Sequence, residues 1–192
     1  MKPIVGLLLA AGSASRFGSD KLRHRLPHGV PIAVQAVRHL KAEVELVFAV
    51  VRSLDDVAKS LESENCTIVV CENAAEGMGA SLACAVRAAG ERGGYLVALA
   101  DMPFVRRSSI AAVREALEKG APLVAPYFRT RRGHPVGFAS SFFGELTRLD
   151  GDEGAKKILK QNEQKLVKIP LGDPGVIRDI DRPEDLMPPL AV

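Results

Sequence analysis

The stretch LLLAAGSASRFGSDK, residues 7–21, joins an apolar, strand-like run to a loop that suits a phosphate group. Gly12 and Gly18 permit backbone conformations that other residues resist, so that backbone N–H groups can point at an anion. Arg16 and Lys21 add positive charge, and an arginine can hold a phosphate through two parallel hydrogen bonds. The pattern matches neither the Walker loop G-x-x-x-x-G-K-[ST] nor the dinucleotide fingerprint G-x-G-x-x-G. It predicts a phosphate-binding loop of another kind, and the open alternative is an ordinary surface loop.

Apolar runs alternate with helix-like stretches on both sides of this loop. The runs are PIVGLLLA (3–10), VELVFAVV (44–51), CTIVVC (66–71), YLVALA (95–100) and PLVAPY (122–127). Continuous apolar segments of this kind are typical of parallel strands that are covered on both faces. We therefore predict an α/β fold, namely a Rossmann-like three-layer α/β/α arrangement with a mostly parallel sheet. The later pattern is less regular, with a further strand predicted at GVIRDID (175–181), and indicates a small irregular C-terminal lobe.

The composition excludes several classes of protein. The chain has 26 Lys and Arg against 23 Asp and Glu, so a general nucleic-acid-binding surface is not indicated. The three cysteines follow no common zinc pattern and are interpreted as free thiols of a reducing compartment. No apolar run approaches the roughly 18 residues of a membrane span, and the apolar start fits a buried strand better than a signal peptide. We predict one domain over residues 1–192, located in the cytoplasm, with no nucleic-acid or membrane partner.

Acidic residues stand at the end of two predicted strands, YLVALA and GVIRDID. In parallel sheets, ligands bind at the carboxyl ends of the strands, and Asp101 comes directly after YLVALA. A carboxylate there can hold a Mg²⁺ ion that bridges phosphates, although it can also simply cap a helix. Asp179 and Asp181 alternate along a predicted strand; we expect their side chains on opposite faces, and one of the two to join Asp101 on a metal. The alternative for Asp181 is that it caps a helix formed by RPEDL.

The segment EGMGASLACAV, residues 76–86, places two glycines before a helix. Gly77 and Gly79 leave the first turn of that helix open to a ligand. Ser81 is predicted either to cap the helix or to reach the edge of a base. The alternative is a plain turn followed by a helix cap.

The segment RTRRGHPVGF, residues 129–138, is a basic loop that leads into a short strand. Arg129, Arg131 and Arg132 form a local cationic patch just before His134. This patch predicts an anion-binding loop or, equally, a solvated charged loop.

Six segments in this order resemble a known family. LLLAAGSASRFGSDK is similar to the L-A-x-G-x-x-x-R-[FM]-G-x-x-K signature of nucleotidyltransferases, and GMGASL, LADMPFV, RGHPVGF, GDEGAKKIL and DIDRPEDL follow it. The set resembles the MobA-like NTP transferases, and within them the molybdenum cofactor cytidylyltransferases, over nearly the whole chain. LAAG at residues 9–12 stands where the guanylyltransferase branch more often has LAGG. The chain departs from the family at Arg23, His24 and Arg25, where apolar residues are common; these cations would strengthen triphosphate binding or serve a different acceptor.

The resemblance implies a nucleotidyltransferase fold with a nucleotide-binding half, about residues 1–105, and an acceptor-binding half, about residues 106–192. The implied nucleotide-binding residues are Leu9, Ala10, Ala11, Gly12, Ser13, Arg16, Lys21, Gly79 and Ser81. The implied catalytic residues are Arg16, Lys21 and Asp101, and the implied ligands of a Mg²⁺ cofactor are Asp101 and Asp181. The implied acceptor-binding residues are Gly133, His134 and Pro135.

These residues lead to one hypothesis about the reaction. The terminal phosphate oxygen of a molybdopterin-type acceptor would attack the α-phosphorus of CTP, and pyrophosphate would leave. GTP as donor, another phosphorylated acceptor such as a sugar phosphate, and a non-catalytic nucleotide-binding regulator stay open as alternatives. An NAD-binding oxidoreductase is disfavoured, because the fingerprint glycines are missing. The resemblance also implies a molybdoenzyme or a maturation chaperone as a protein partner.

Overall fold

The apolar runs form one mixed sheet. The structure is a computed structural model that describes residues 2–12 and 21–187. Its strands are β1 (Ile4–Leu9), β2 (Val47–Val51), β3 (Thr67–Val70), β4 (Gly94–Leu99), β5 (Leu123–Phe128), β6 (Arg131–Arg132), β7 (Val136–Ala139) and β8 (Leu166–Pro170). Within the described residues these eight strands lie in the order β3-β2-β1-β4-β7-β5-β6, and β8 pairs with β5. The predicted strands of the first half are thereby confirmed.

Most neighbouring strands run parallel, as predicted. The β1 strand is parallel to β2 and β4, β2 to β3, and β5 to β8, whereas β7 runs antiparallel to β4 and β5. Leu9 pairs with Val50 on one side and with Leu99 on the other, so these three strands end level with each other. The segments that follow them therefore meet at one edge of the sheet, where parallel folds place their ligands.

Helices cover both faces of the sheet. They are α1 (Ile32–Lys41), α2 (Asp56–Ser63), α3 (Met78–Ala89), α4 (Arg107–Glu118), α5 (Phe143–Leu146) and α6 (Lys156–Gln161). Apolar side chains of α1, α2 and α4 share one buried core with the sheet, and those of α3, α5 and α6 share a second. Two cores separated by a sheet make the three layers that the sequence predicts.

The strand predicted at GVIRDID is wrong. A short 3-10 helix, Pro174–Ile177, begins there because the buried carboxylate of Asp173 accepts a hydrogen bond from the Gly175 N–H at 2.9 Å. The same carboxylate accepts hydrogen bonds from the Arg106 N–H at 2.9 Å and from the Ser109 hydroxyl at 2.6 Å. These bonds fasten the C-terminal segment to the start of α4, near the end of β4.

The three cysteines are free thiols, as the sequence predicts. No disulfide bond joins any two of the described cysteines, Cys66, Cys71 and Cys84. Burial raises the pKa of the Cys66 thiol to about 11, which is typical of a packed core group rather than a nucleophile. Over residues 2–12 and 21–187, no helix is both long enough and apolar enough to cross a membrane.

Candidate active site

An ion cluster of one lysine and two aspartates lies at the carboxyl edge of the sheet. The Lys21 Nζ atom lies 2.8 Å from Asp101 Oδ2 and 3.1 Å from Asp181 Oδ1. The Lys21 side chain is only 11% exposed, and that of Asp101 is 24% exposed. Burial alone would lower the pKa of the Lys21 ammonium, but the hydrogen bonds and charges of the two aspartates outweigh it and raise the pKa above its ordinary value. Lys21 is therefore a cation at neutral pH, and the predicted residues Lys21, Asp101 and Asp181 are brought together.

Backbone hydrogen bonds bring Asp181 to Asp101. The Ile180 N–H donates to the Asp101 carbonyl oxygen at 2.9 Å. The carboxylate of Asp185 accepts from the N–H groups of Asp181 and Arg182, at 3.1 Å and 2.9 Å. The N-cap residue of the short helix Pro183–Leu186 is therefore Arg182, and Asp181 does not cap this helix. This leaves the Asp181 carboxylate turned toward Lys21.

Asp179 is a third carboxylate at this site, which the sequence did not assign. One carboxylate oxygen from each of Asp101, Asp179 and Asp181 lies within 4.8 Å of the other two. The prediction that Asp179 and Asp181 point to opposite faces is wrong, because residues two apart along an extended backbone lie on the same face. The D-I-D spacing, with a separation of two residues, therefore agrees with the placement of both carboxylates beside Asp101.

A cavity of about 300 Å³ opens beside Asp101. It is lined by the predicted residues Leu9, Ala11, Gly12, Ser81 and Asp101, and also by Arg52, Ala74, Ala75, Gly77, Met78, Leu99 and Asp152. Its volume is at the lower end of the range of small-molecule sites. The apolar loop after β1 and the first turn of α3 therefore face a common space, with Asp101 at its rim.

Arg52 and Asp152 are lining residues that sequence reasoning missed. The Arg52 Nε atom donates to the carbonyl oxygen of Ala11 at 2.6 Å and so holds the loop after β1 in place. Arg52 follows directly after β2, and the rule that singled out Asp101 after β4 would have found it. Asp152 belongs to the loop before α6 and carries no comparable signal.

Gly79 and Ser81 serve the packing of α3. The Gly79 N–H donates to the Gly151 carbonyl oxygen at 2.7 Å, and a Cβ atom on Gly79 would lie 2.1 Å from the backbone oxygen of Asp150. Gly77, at a φ of 129°, precedes the helix, and the Ser81 hydroxyl lies 3.3 Å from the Gly77 carbonyl oxygen. Ser81 therefore does not cap the helix, although it lines the cavity, whereas Gly79 faces the 150–151 loop.

The predicted acceptor residues lie beside the C-terminal segment. The Gly133 N–H donates to the Pro126 carbonyl oxygen at 2.8 Å, and the His134 N–H to the Val176 carbonyl oxygen at 2.7 Å. Burial lowers the pKa of His134 to about 4, so its ring is neutral at neutral pH. His134 and Pro135 line a second, very small cavity near the start of α4. Their role toward an acceptor stays a prediction.

The cationic segments singled out in the sequence lie outside the cavity beside Asp101. Arg131 and Arg132 are exposed on β6, and the Arg129 guanidinium lies 5.4 Å from the centre of the Phe128 ring. Arg23 forms an ion pair with Asp56 of α2 at 2.9 Å. The predicted residues Ser13 and Arg16 lie outside the described residues, so their roles stay predictions.

The chain is similar in sequence and in fold to known proteins. The sequence profile of the family described as "MobA-like NTP transferase domain" matches residues 6–166. The purine catabolism protein PucB of Bacillus subtilis (strain 168) is 28% identical over 193 residues, covering 95% of this chain and 93% of PucB. Rv0371c of Mycobacterium tuberculosis H37Rv has a similar fold, with a TM-score of 0.80 at 22% identity, covering 96% of this chain and 95% of that one.

Two further solved structures have a similar fold. A complex of Rv0371c with manganese has a TM-score of 0.75 at 20% identity, covering 95% of each chain. The molybdopterin-guanine dinucleotide biosynthesis protein A of Archaeoglobus fulgidus has a TM-score of 0.66 at 22% identity, covering 95% of this chain and 94% of that one. At these identities, the likeness of the structures shows the fold.

Proposed function

Because this chain belongs to the family of MobA-like NTP transferase domains, and is therefore a nucleotidyltransferase, we propose that it transfers CMP from CTP to a molybdopterin-type phosphate acceptor. The observation that carries the proposal is the cluster of Lys21, Asp101 and Asp181 beside the cavity lined by the LAAG loop. Asp101 belongs to both the cluster and the cavity. A nucleoside bound in the cavity would therefore direct its phosphates to the charged groups.

The donor set of the cluster fits a divalent cation. Mg²⁺ and Mn²⁺ prefer oxygen ligands, and Asp101, Asp179 and Asp181 supply carboxylate oxygens within 4.8 Å of one another. These residues would hold Mg²⁺, which when bound supplies charge neutralisation at the transferring phosphate. The manganese complex of the mycobacterial relative supports a divalent cation in this fold.

The proposed reaction depends on position and charge rather than on proton transfer. A terminal phosphate oxygen of the acceptor is already ionised near neutral pH, so no general base is required. It attacks the α-phosphorus in line, the bond from this phosphorus to the bridging oxygen breaks, and pyrophosphate leaves with the electron pair. The Lys21 ammonium lies beside Asp101, where it can stabilise the negative charge that develops on the leaving group.

The preference for CTP is supported by one residue that lines the cavity, Ala11. Ala11 stands where the guanylyltransferase branch more often has glycine, and its methyl group takes up room that the larger guanine base would need. Arg52 offers only hydrogen-bond donors, which suit N3 and O2 of cytosine and equally O6 and N7 of guanine, so it can contact a base without choosing between the two. The name of the Archaeoglobus fulgidus relative favours GTP as the alternative donor.

The acceptor side is proposed from the second half of the chain. Gly133, His134 and Pro135 would face a molybdopterin-type phosphate, with a sugar phosphate as the alternative. We treat residues 1–192 as one domain with two halves. Lys21 and Asp101 belong to the proposed nucleotide-binding half, about residues 1–105, and Asp181 belongs to the proposed acceptor-binding half, about residues 106–192. We place the reaction in the cytoplasm, with a molybdoenzyme or a maturation chaperone as the protein that receives the product.

Pyrophosphate release tests the proposal directly. The purified protein is incubated with Mg²⁺ and each of CTP, GTP, ATP and UTP, in combination with molybdopterin or a sugar phosphate. The expected result is release only with CTP and molybdopterin. Release with GTP instead would contradict the base assignment, and release with a sugar phosphate would contradict the acceptor. No release with any pair would favour the non-catalytic regulator.

A further inference from the structure

Lys21 lies where a divalent cation is expected to bind. Its ammonium donates to Asp101 at 2.8 Å and to Asp181 at 3.1 Å, and these are two of the three carboxylates that lie within 4.8 Å of one another. The side chain of Lys21 is nearly buried. The carboxylates that suit a metal ion therefore already hold a cation that the chain supplies.

We propose that Lys21 is the resident counter-ion of Asp101 and Asp181, that a divalent cation must displace it, and that the triphosphate of the nucleotide receives the displaced ammonium. This inference rests on the proposed function, because it takes a divalent cation and a nucleoside triphosphate as the ligands. It adds that the two ligands bind cooperatively, and it assigns the coupling between them to one side chain.

The charges explain why displacement is needed. The negative charges of the Asp101 and Asp181 carboxylates repel each other in this partly buried site. The positive charge of Lys21, which hydrogen-bonds to both, offsets that repulsion. A divalent cation removes it too, but it repels the ammonium at this short distance. In the absence of nucleotide, Lys21 would have to leave for water while the ion takes its place, so metal binding alone is weakened.

The nucleotide changes this balance. Lysine carries its charge on a flexible four-carbon stem, so the ammonium can turn from the aspartates to another anion nearby. Asp101 lines the cavity beside the cluster, so the phosphates of a bound nucleotide would lie within reach of Lys21. A triphosphate thus gives the ammonium a new anionic partner at the moment when the metal ion takes the carboxylates. By linkage, the nucleotide then raises metal affinity by the same factor as the metal raises nucleotide affinity.

Metal binding measured with and without nucleotide tests the proposal. The free Mn²⁺ signal in electron paramagnetic resonance gives the dissociation constant of Mn²⁺ for the wild-type protein and for Lys21→Met, each without nucleotide and with saturating CTP. Without nucleotide, Lys21→Met should bind Mn²⁺ about tenfold more tightly than the wild type, which corresponds to about 1.4 kcal/mol. With CTP, the wild type should gain at least about tenfold in Mn²⁺ affinity, and Lys21→Met should gain much less.

Lys2→Met is the matched control, because Lys2 also forms an ion pair, with Glu91 at 3.2 Å, and both of its partners are exposed. Lys2→Met should bind Mn²⁺ as the wild type does. Lys21→Gln, which keeps a donor between the aspartates but no charge, carries the same expectation as Lys21→Met and serves if that variant does not fold.

Two results would overturn the proposal. One is Mn²⁺ binding by the uncharged Lys21 variants that is no tighter than in the wild type. The other is an equal gain in Mn²⁺ affinity from CTP in the wild type and in the variants. Either result leaves the proposed transfer reaction standing, since that reaction is judged by pyrophosphate release. Conversely, a protein that releases no pyrophosphate can still show the metal exchange.

Discussion

Replacement of Asp101 by asparagine separates the charge of this side chain from its shape. In the wild type, Asp101 Oδ2 accepts from the Lys21 ammonium at 2.8 Å in a mostly buried setting. Asparagine keeps an accepting oxygen at this position but loses the charge, while Lys21 retains Asp181 at 3.1 Å. A hydrogen bond to a charged group is worth about 1.5–3 kcal/mol, and asparagine recovers part of it, so we expect a loss of about 1–2 kcal/mol in the free energy of unfolding. For a chain of this size, that lowers Tm by about 2–8 °C.

The loss of activity should be far larger than the loss of stability. Asp101 touches Lys21, lines the cavity and contributes to the carboxylate set, so Asp101→Asn should lower the rate of pyrophosphate release by at least about 100-fold. The rate is measured at a temperature well below the Tm of both proteins. Glu91→Gln, which removes an exposed carboxylate from another ion pair, should retain the wild-type rate. A rate for Asp101→Asn within about threefold of the wild type would refute the role that we assign to this carboxylate.

Three further predictions follow from side chains and backbone described above. Asp179→Asn should weaken Mn²⁺ binding several-fold and leave Tm nearly unchanged, because the side chain is exposed and its carboxylate lies in the cluster; unchanged Mn²⁺ affinity in the resonance titration would remove Asp179 from the site. Gly79→Ala should lower the free energy of unfolding by about 1–3 kcal/mol, since its Cβ would meet the backbone of Asp150, whereas Gly172→Ala, with open space, should not; equal urea midpoints would contradict the packing argument. The pKa of His134 is lower in the folded chain than in the unfolded one, so the unfolded chain takes up the proton first as the pH falls from about 6.5 toward 4, and folding stability is lost in that window. Between pH 7 and pH 5 the wild type should lose about 2 kcal/mol through this group, and a loss of the same size in His134→Gln would show that other groups are responsible.

The part of the site that follows the parallel strands was predictable from the sequence. Asp101 comes directly after the strand run YLVALA, and Leu9 and Ala11 fall at the end of the first run. Because these strands pair in level register, their ends meet without any information from more distant parts of the chain. Arg52 follows β2 in the same way, so its place beside the cavity is also encoded locally in the sequence.

The part of the site from the second half was not predictable in the same way. Asp179 joins the cluster because Asp173 folds the preceding residues into a short helix and because Ile180 bonds to the backbone of Asp101. The bond between Ile180 and Asp101 joins residues that are far apart in the sequence, and no local periodicity encodes it. Gly79 shows the same limit, because the need for glycine comes from the approach of the 150–151 loop and not from a ligand in contact with the helix.

The contact between Lys21 and Asp181 spans 160 residues, and that between Lys21 and Asp101 spans 80. Ribosomes release a chain from its N-terminal end, and domains begin to fold in that order. A nascent chain thus exposes the loop after β1 and the first aspartate well before the second aspartate exists. During that interval the Lys21 ammonium can pair with Asp101 but not yet with Asp181. A nucleotide that enters the cavity then meets a charged cluster that lacks Asp181. Catalytic competence should therefore arrive late in synthesis, when the segment after β8 docks.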